Sequence, residues 1–326
     1  MEKYNPAAYR IYLQLSDKKH VLVEGKSERI AFKQLKYDLG IDELEIDSAE
    51  YLIEFEDSEG HLLRLGNRDK VEEISRSVVA ESRNLETDGK EPYADKFIGF
   101  VDREYREFQL SNSIQDLLNC HRVSDRLVWS RGHSIENYLF DFDIFFEPLR
   151  IFSAEHFNMC RILFARVWNS AVYIACAASL IGYEINKPNL VDRSLEWDIL
   201  NIDPPEVSVD LVRWKQNLCD KHNLNAIDTE ELVRKFTHWH EIAKSTDLYV
   251  IRWLSHGHIG FHFFWKVYTR CVFEVCQDVK IAEKILVDEN NRFNACVVSW
   301  SKGAINYQYE YPADVFRLLD FPLPGP

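Results

Sequence analysis

The run His20-Val21-Leu22-Val23-Glu24-Gly25-Lys26-Ser27 decides how the N-terminal half is read. Three apolar strand formers lead straight into a carboxylate, a glycine and a Lys-Ser pair. Gly25-Lys26-Ser27 matches the end of the pattern G-x-x-x-x-G-K-[ST], a loop whose backbone N–H groups wrap phosphates. That pattern requires glycine at position 20, where this chain has His20. Its loop positions would be Val21-Leu22-Val23, which favour extended backbone, and Glu24 would repel the phosphates. The stretch instead predicts a strand over 20–24 that ends in a carboxylate. Gly25 then turns the chain into a helix over 27–39, with Ile30, Ala31, Leu35 and Leu39 on one side.

Working outward, Asn5-Pro6 reads as an N-cap followed by proline at the first helical position, opening a helix over about 6–16. The alternation in Leu52-Ile53-Glu54-Phe55 and Leu62-Leu63-Arg64-Leu65, around Asp57-Ser58-Glu59-Gly60, predicts a hairpin. Asn67 is placed to cap a helix over 68–84. Lys96-Phe97-Ile98-Gly99-Phe100-Val101 is a short apolar run, read as a buried strand that delivers Asp102. A helix near 113–119 and a strand at 127–129 follow. Strands alternating with helices predict an α/β fold with a mostly parallel sheet. From about 145 the pattern becomes helix-periodic, near 153–183, 208–222, 228–243 and 259–277, with Pro204-Pro205 as a break. Asp228 with Glu231 resembles a capping box. The expected division is an α/β domain over 1–145 and a mainly helical domain over 146–326.

Composition bounds the function. The chain has 326 residues, 46% of them apolar or aromatic, and a formal net charge of -14. Most of the acidic excess lies in the first 150 residues. Such a chain repels phosphates at long range, so nucleic-acid binding would need local basic patches, metal ions or a partner. Seven cysteines, an odd number with no C-x-x-C pair, fit reduced thiols and a cytoplasmic setting. The N-terminus is polar, with no signal-peptide pattern. The apolar stretch 167–181 is shorter than the roughly 20 residues a membrane span needs, so it reads as a core helix, and no membrane association is expected.

Two strands ending in carboxylates suggest a common site, because open α/β sheets collect ligands at the carboxyl ends of their strands. Asp102-Arg103-Glu104 is a D-x-E unit whose two carboxylates share a side if the chain stays extended. Carboxylates converge only when a cation offsets their repulsion, and hard oxygen donors favour Mg²⁺ or Mn²⁺. Clusters of this kind serve phosphodiester hydrolysis or transfer.

The phrases VLVEGKSER and FIGFVDREY resemble the Glu-Gly and D-x-D motifs of TOPRIM domains, found in topoisomerases, primases and OLD-type nucleases. RGHSIENYLFD, Arg131 to Asp141, resembles a phrase of one TOPRIM-like family in particular. Members of that family are effectors in anti-phage defence of the PARIS type. The resemblance covers residues 20–140 well and the remainder loosely. It implies a TOPRIM-like, Rossmann-like catalytic domain with a helical domain for dimerisation, substrate or partner binding. The implied activity is that of a toxic, Mg²⁺- or Mn²⁺-dependent endoribonuclease acting on cellular RNA, notably tRNA. It would be held by an ABC-type ATPase subunit until infection and would act as a homodimer. By the same resemblance, Glu24 is a metal ligand or general base, Asp102 the main metal ligand, and Glu104 the second ligand where the family prefers Asp. Glu136 is a further acidic ligand that Asn137 positions, and Lys26 neutralises a phosphate.

His256, His258 and His262 lie close together. A zinc reading needs a fourth ligand, and no cysteine stands nearby in a fitting pattern. A Gly-His phrase also occurs in the TOPRIM-like family, which makes His258 a candidate beside the site; packing is the bland alternative. Two other readings stay open: a non-catalytic TOPRIM-fold sensor or assembly subunit, and a DNA nuclease of the OLD type. A topoisomerase or primase is disfavoured, because the C-terminal half shows neither a strand-cleavage tyrosine module nor a zinc-binding primase element.

Overall fold

The structure, a computed structural model, describes residues 3–56, 61–153 and 156–323. The chain forms two compact units. The first comprises residues 1–103, 118–135 and 300–326, and the second 104–117 and 136–299.

The first unit is built on a five-stranded sheet. Its strands are β1 (Lys19–Val23), β2 (Leu44–Ser48), β3 (Phe97–Val101), β4 (Arg122–Ser124) and β5 (Leu127–Trp129). Across the sheet the order is β2, β1, β3, β5, β4. β1 pairs in parallel with β2 and β3, β3 pairs in parallel with β5, and β4 joins antiparallel at the edge. The sheet is therefore mixed and mostly parallel.

β1 and β3 are apolar on both faces because helices cover both. Val21, Leu22, Val23, Phe97, Ile98, Phe100 and Val101 are fully buried. On one face Leu22, Phe97 and Val101 pack with Tyr9 and Leu13 of helix α1 (Pro6–Leu15) and with Val71, Ile74 and Val78 of helix α3 (Asn67–Thr87). On the other, Phe32 of helix α2 (Lys26–Asp38) meets Phe100 with ring centroids 4.8 Å apart. Gly99 of β3 lets α3 approach closely: a Cβ there would fall 2.2 Å from Ser75 Oγ and 2.9 Å from Val71 Cγ1.

Several local expectations hold. Asn5 caps α1, its Oδ1 accepting from the Ala8 N–H at 2.8 Å. The strands expected at 20–24, 96–101 and 127–129 form as Lys19–Val23, Phe97–Val101 and Leu127–Trp129, and the helix expected over 27–39 as Lys26–Asp38. The hairpin is reduced to a two-residue ladder, Phe55–Glu56 with Leu62–Leu63, and its turn, 57–60, lies outside the described residues. Gly66, not Asn67, caps α3, with Asp69 accepting from its N–H at 3.3 Å. No helix forms at 113–119. Phe108–Leu110 and Ile114–Asp116 pair antiparallel there, since Phe108 and Ile114 are the buried positions of two short strands.

The expected boundary at 145 is corrected. The C-terminal segment returns to the first unit, where Phe316 packs 6.1 Å from Phe32 and Arg126 donates to the Leu318 carbonyl at 2.8 Å. The segment 104–117 belongs to the second unit, where Tyr105 donates to the Ser179 carbonyl at 3.0 Å and its ring lies 4.3 Å from Tyr183.

The second unit is mainly helical, as expected of its sequence. Helix Phe157–Glu184 is its centre and packs against helices Ala226–Lys244 and Gly257–Cys276. This helix is long and apolar enough to cross a membrane, yet 67% of its most apolar window is buried in the protein, as in a core helix. The 208–222 region divides: Leu200–Asp203 and Glu206–Val209 form a hairpin around Pro204-Pro205, and a helix spans only Leu211–Asp220. Asn225 rather than Asp228 caps the 226–244 helix, accepting from the Asp228 N–H at 2.9 Å.

Candidate functional site

β1 and β3 are neighbours in the sheet, so their carboxyl ends lie side by side, and each ends in a carboxylate. Glu24 follows Val23, and Asp102 follows Val101. The backbone N–H of Asp102 donates to Glu24 Oε1 at 2.7 Å. Glu24 and Asp102 are both half-buried. Just beyond, Gly25 caps α2, and its N–H donates to the buried carboxylate of Glu28 at 3.0 Å. Lys26 is the first residue of α2 and is exposed.

Glu104 departs from expectation. Its φ is 54°, in the left-handed region, and the chain turns there. Extended alternation, which would aim Asp102 and Glu104 to one side, does not apply beyond Arg103. Glu104 is exposed and belongs to the second unit.

The segment 130–140 is polar in sequence and buried in full. Burial of so many polar groups requires dense hydrogen bonding. In the first unit, Ser130 Oγ accepts from the Arg103 N–H at 2.9 Å and donates to the Gly132 carbonyl at 2.6 Å. Arg103 Nη1 donates to the Arg131 carbonyl at 3.0 Å, and Arg131 Nη2 donates to Asn119 Oδ1 at 2.9 Å. Both arginines are 1% exposed. Arg103 follows Asp102 directly and ties the end of β3 to the chain beyond β5. Sequence reading passed over it; the available signal was an arginine set between two acids immediately after a wholly apolar strand.

In the second unit Glu136 is 3% exposed, and its Oε1 lies 3.7 Å from His258 Nε2. His258 stands in the first turn of helix Gly257–Cys276. Asn137 is fully buried and its Nδ2 donates to the carbonyls of Arg252 (2.7 Å) and Ser255 (2.8 Å). This fixes the short 3₁₀ turn Ile135–Leu139 that carries Glu136. The three histidine rings follow one another, with 6.1 Å between the centroids of His256 and His258 and of His258 and His262. His262 Nδ1 is 2.7 Å from Asp192 Oδ2, and its Nε2 is 2.9 Å from Glu289 Oε1. Burial holds His256 below the ordinary histidine range, and neighbouring His258 adds to this.

Among the described residues, no three His, Cys, Asp or Glu side chains gather as a site able to hold a metal. Within the first unit Glu24 is joined to the backbone N–H of Asp102, and within the second Glu136 stands near His258. A carboxylate pair still fits Mg²⁺, which keeps several waters and is held through one or two carboxylates plus substrate phosphates. Glu24 and Asp102 are the residues that would hold it.

The chain matches no protein-family model, and no curated protein matches it. The functional reading rests on its residues. The buried cysteines are far from reactive thiolates: burial pushes Cys160 up to about 11 and Cys176 up to about 12, and raises Cys271 and Cys296 as well.

Proposed function

We propose that the chain is a TOPRIM-type, Mg²⁺- or Mn²⁺-dependent nuclease that cuts cellular RNA, with tRNA as the leading substrate. The observation that carries this is the placement of Glu24 and Asp102 at the carboxyl ends of adjacent parallel strands, joined at 2.7 Å. A bound divalent ion would supply charge neutralisation at the scissile phosphate. Glu24 is held in place by the Asp102 N–H and can take a proton from the attacking water or hydroxyl. Asp102 supplies a second hard oxygen donor. The motif resemblance extends the reading to a cytoplasmic, toxic anti-phage effector that acts as a homodimer after release from an ABC-type ATPase.

The test incubates the purified chain with tRNA, single-stranded RNA and DNA, in Mg²⁺, Mn²⁺ or chelator, beside Glu24→Ala. Metal-dependent cleavage of RNA that Glu24→Ala abolishes is the expected result. Cleavage confined to DNA would favour an OLD-type nuclease instead. A second reading, a non-catalytic TOPRIM-fold sensor, is favoured by the exposed, left-handed Glu104. No cleavage of any substrate by the chain, freed from partners, would overturn the nuclease reading and leave this one.

A further inference from the structure

A cleft of about 210 Å³ opens in the first unit beside β2, one of the two edge strands of the sheet. Rings of Tyr4, Tyr12 and Tyr51 line it, and Arg29 and Lys33 of α2 reach into it. Two carboxylates of β2, Glu45 and Asp47, also border it, but both are committed elsewhere. Asp47 Oδ2 accepts from the Tyr9 hydroxyl at 2.9 Å and lies 2.8 Å from His20 Nδ1. The other ring nitrogen of His20 is 2.8 Å from Ser16 Oγ, so this chain of contacts is closed within the fold. Glu45 is in a salt bridge with Lys18.

The two cations of the cleft are not matched in this way. Among the described residues Arg29 Nε donates to the Ile46 carbonyl alone, at 3.4 Å, and its guanidinium lies 5.7 Å from the centre of the Tyr51 ring. Lys33 forms no ion pair among the described residues. Its pKa is lowered by partial burial and by the Arg29 charge beside it, against the weaker opposing pull of Glu45 and Asp47. Two adjacent cations without a dedicated carboxylate, on a chain of net charge -14, mark a place where an anion is to be received. Arginine and lysine suit phosphate oxygens, and tyrosine faces suit a planar base. The volume is below the roughly 300–1,000 Å³ of drug-sized pockets, so this open cleft holds no more than one nucleotide unit.

We infer that the cleft bounded by Arg29, Lys33, Tyr12 and Tyr51 binds a single nucleotide, with its phosphate on the two cations and its base against the tyrosines. Val23, which leads into Glu24, is in register with Ser48, and Ser48 borders the cleft. A nucleotide bound there lies one strand away from Glu24. The unit could belong to an RNA strand or be a free mononucleotide. The inference stands whether or not Glu24 and Asp102 cut phosphodiesters.

The test titrates the full chain, in chelator, with AMP, adenosine, inorganic phosphate and a short 5′-phosphorylated single-stranded RNA, by calorimetry. AMP or the RNA is expected to bind, with adenosine and phosphate each at least tenfold weaker. The tighter of the two identifies the source. Arg29→Gln with Lys33→Gln should weaken that binding at least tenfold at an unchanged melting temperature. Should the double variant fail to fold, Lys33→Gln alone, at an exposed side chain, should weaken it at least threefold. Tyr51→Leu should weaken AMP more than phosphate. The inference is overturned if neither AMP nor RNA binds, if phosphate binds as tightly as AMP, or if the glutamine variants bind like wild type.

Discussion

The amide of Asp102 donates its proton to the carboxylate of Glu24 across 2.7 Å, bridging the ends of two neighbouring strands. The bond aims one Glu24 oxygen at β3. Glu24→Gln keeps an acceptor for that amide but loses the charge. It should keep the wild-type melting temperature and lose about 10²–10⁴-fold in metal-dependent cleavage, the range for removing a general base. Wild-type cleavage by Glu24→Gln would rule out the assigned role.

Asn137 is placed to hold its turn rather than to react. Its amide nitrogen serves two carbonyls at the end of helix Leu248–Leu254. Asn137→Ala strands those buried acceptors and should cost roughly 2–4 kcal/mol. Asn137→Asp should cost at least as much, because a carboxylate facing two carbonyls cannot donate. Urea midpoints measure both, and an unchanged midpoint for Asn137→Asp would refute the assignment.

The strands were legible because their residues speak locally. Val21 to Val23 and Phe97 to Val101 are apolar runs bounded by polar turns, and a strand buried on both faces reads that way. Glu24 and Asp102 were legible for the same reason, as the first charges after those runs. The extended backbone expected at Glu104 does not form, and a left-handed φ at a glutamate carries no sequence mark, unlike one at glycine. The 108–116 ladder and the return of Phe316 to Phe32 rest on distant pairings that periodicity does not encode. Arg103 was missed because a buried arginine is specified by the Ser130 and Arg131 groups it meets, some 27 residues further on.

His262 and Asp192 make stability depend on pH from opposite ends. Burial opposes charge on His262, but the Asp192 and Glu289 carboxylates outweigh it and raise its pKa above 6.5. A raised histidine stabilises the fold fully below 6.5, and that contribution fades as pH rises through the folded value. Burial likewise opposes charge on Asp192, yet His262 and Lys266 hold it down to about 2, against an ordinary 3.8. Its contribution is full above 3.8 and is lost as pH falls through about 2. His262→Asn should therefore lower the melting temperature most below pH 6.5, with the gap to wild type narrowing at higher pH. A gap that widens with rising pH would contradict the sign.

Gly99 tests whether close helix–sheet contact supports the carboxylate pair. It lies in β3, three residues before Asp102, under α3. Gly99→Ala places a methyl 2.2 Å from Ser75 Oγ, 2.9 Å from Val71 Cγ1 and 3.1 Å from Leu127 Cδ1. The Ser75 hydroxyl donates to the Val71 carbonyl at 2.8 Å, so it is not free to swing aside at no cost. Val71 is β-branched and stiff on its helix. Overpacking here should cost about 1–3 kcal/mol. Ser75→Ala removes the nearest atom but leaves the Val71 contact, so in the Gly99→Ala background it should restore part of the loss and not all. A double-mutant cycle on thermal stability measures that coupling. Additive effects of the two substitutions would show that Ser75 is not the group that resists the added methyl.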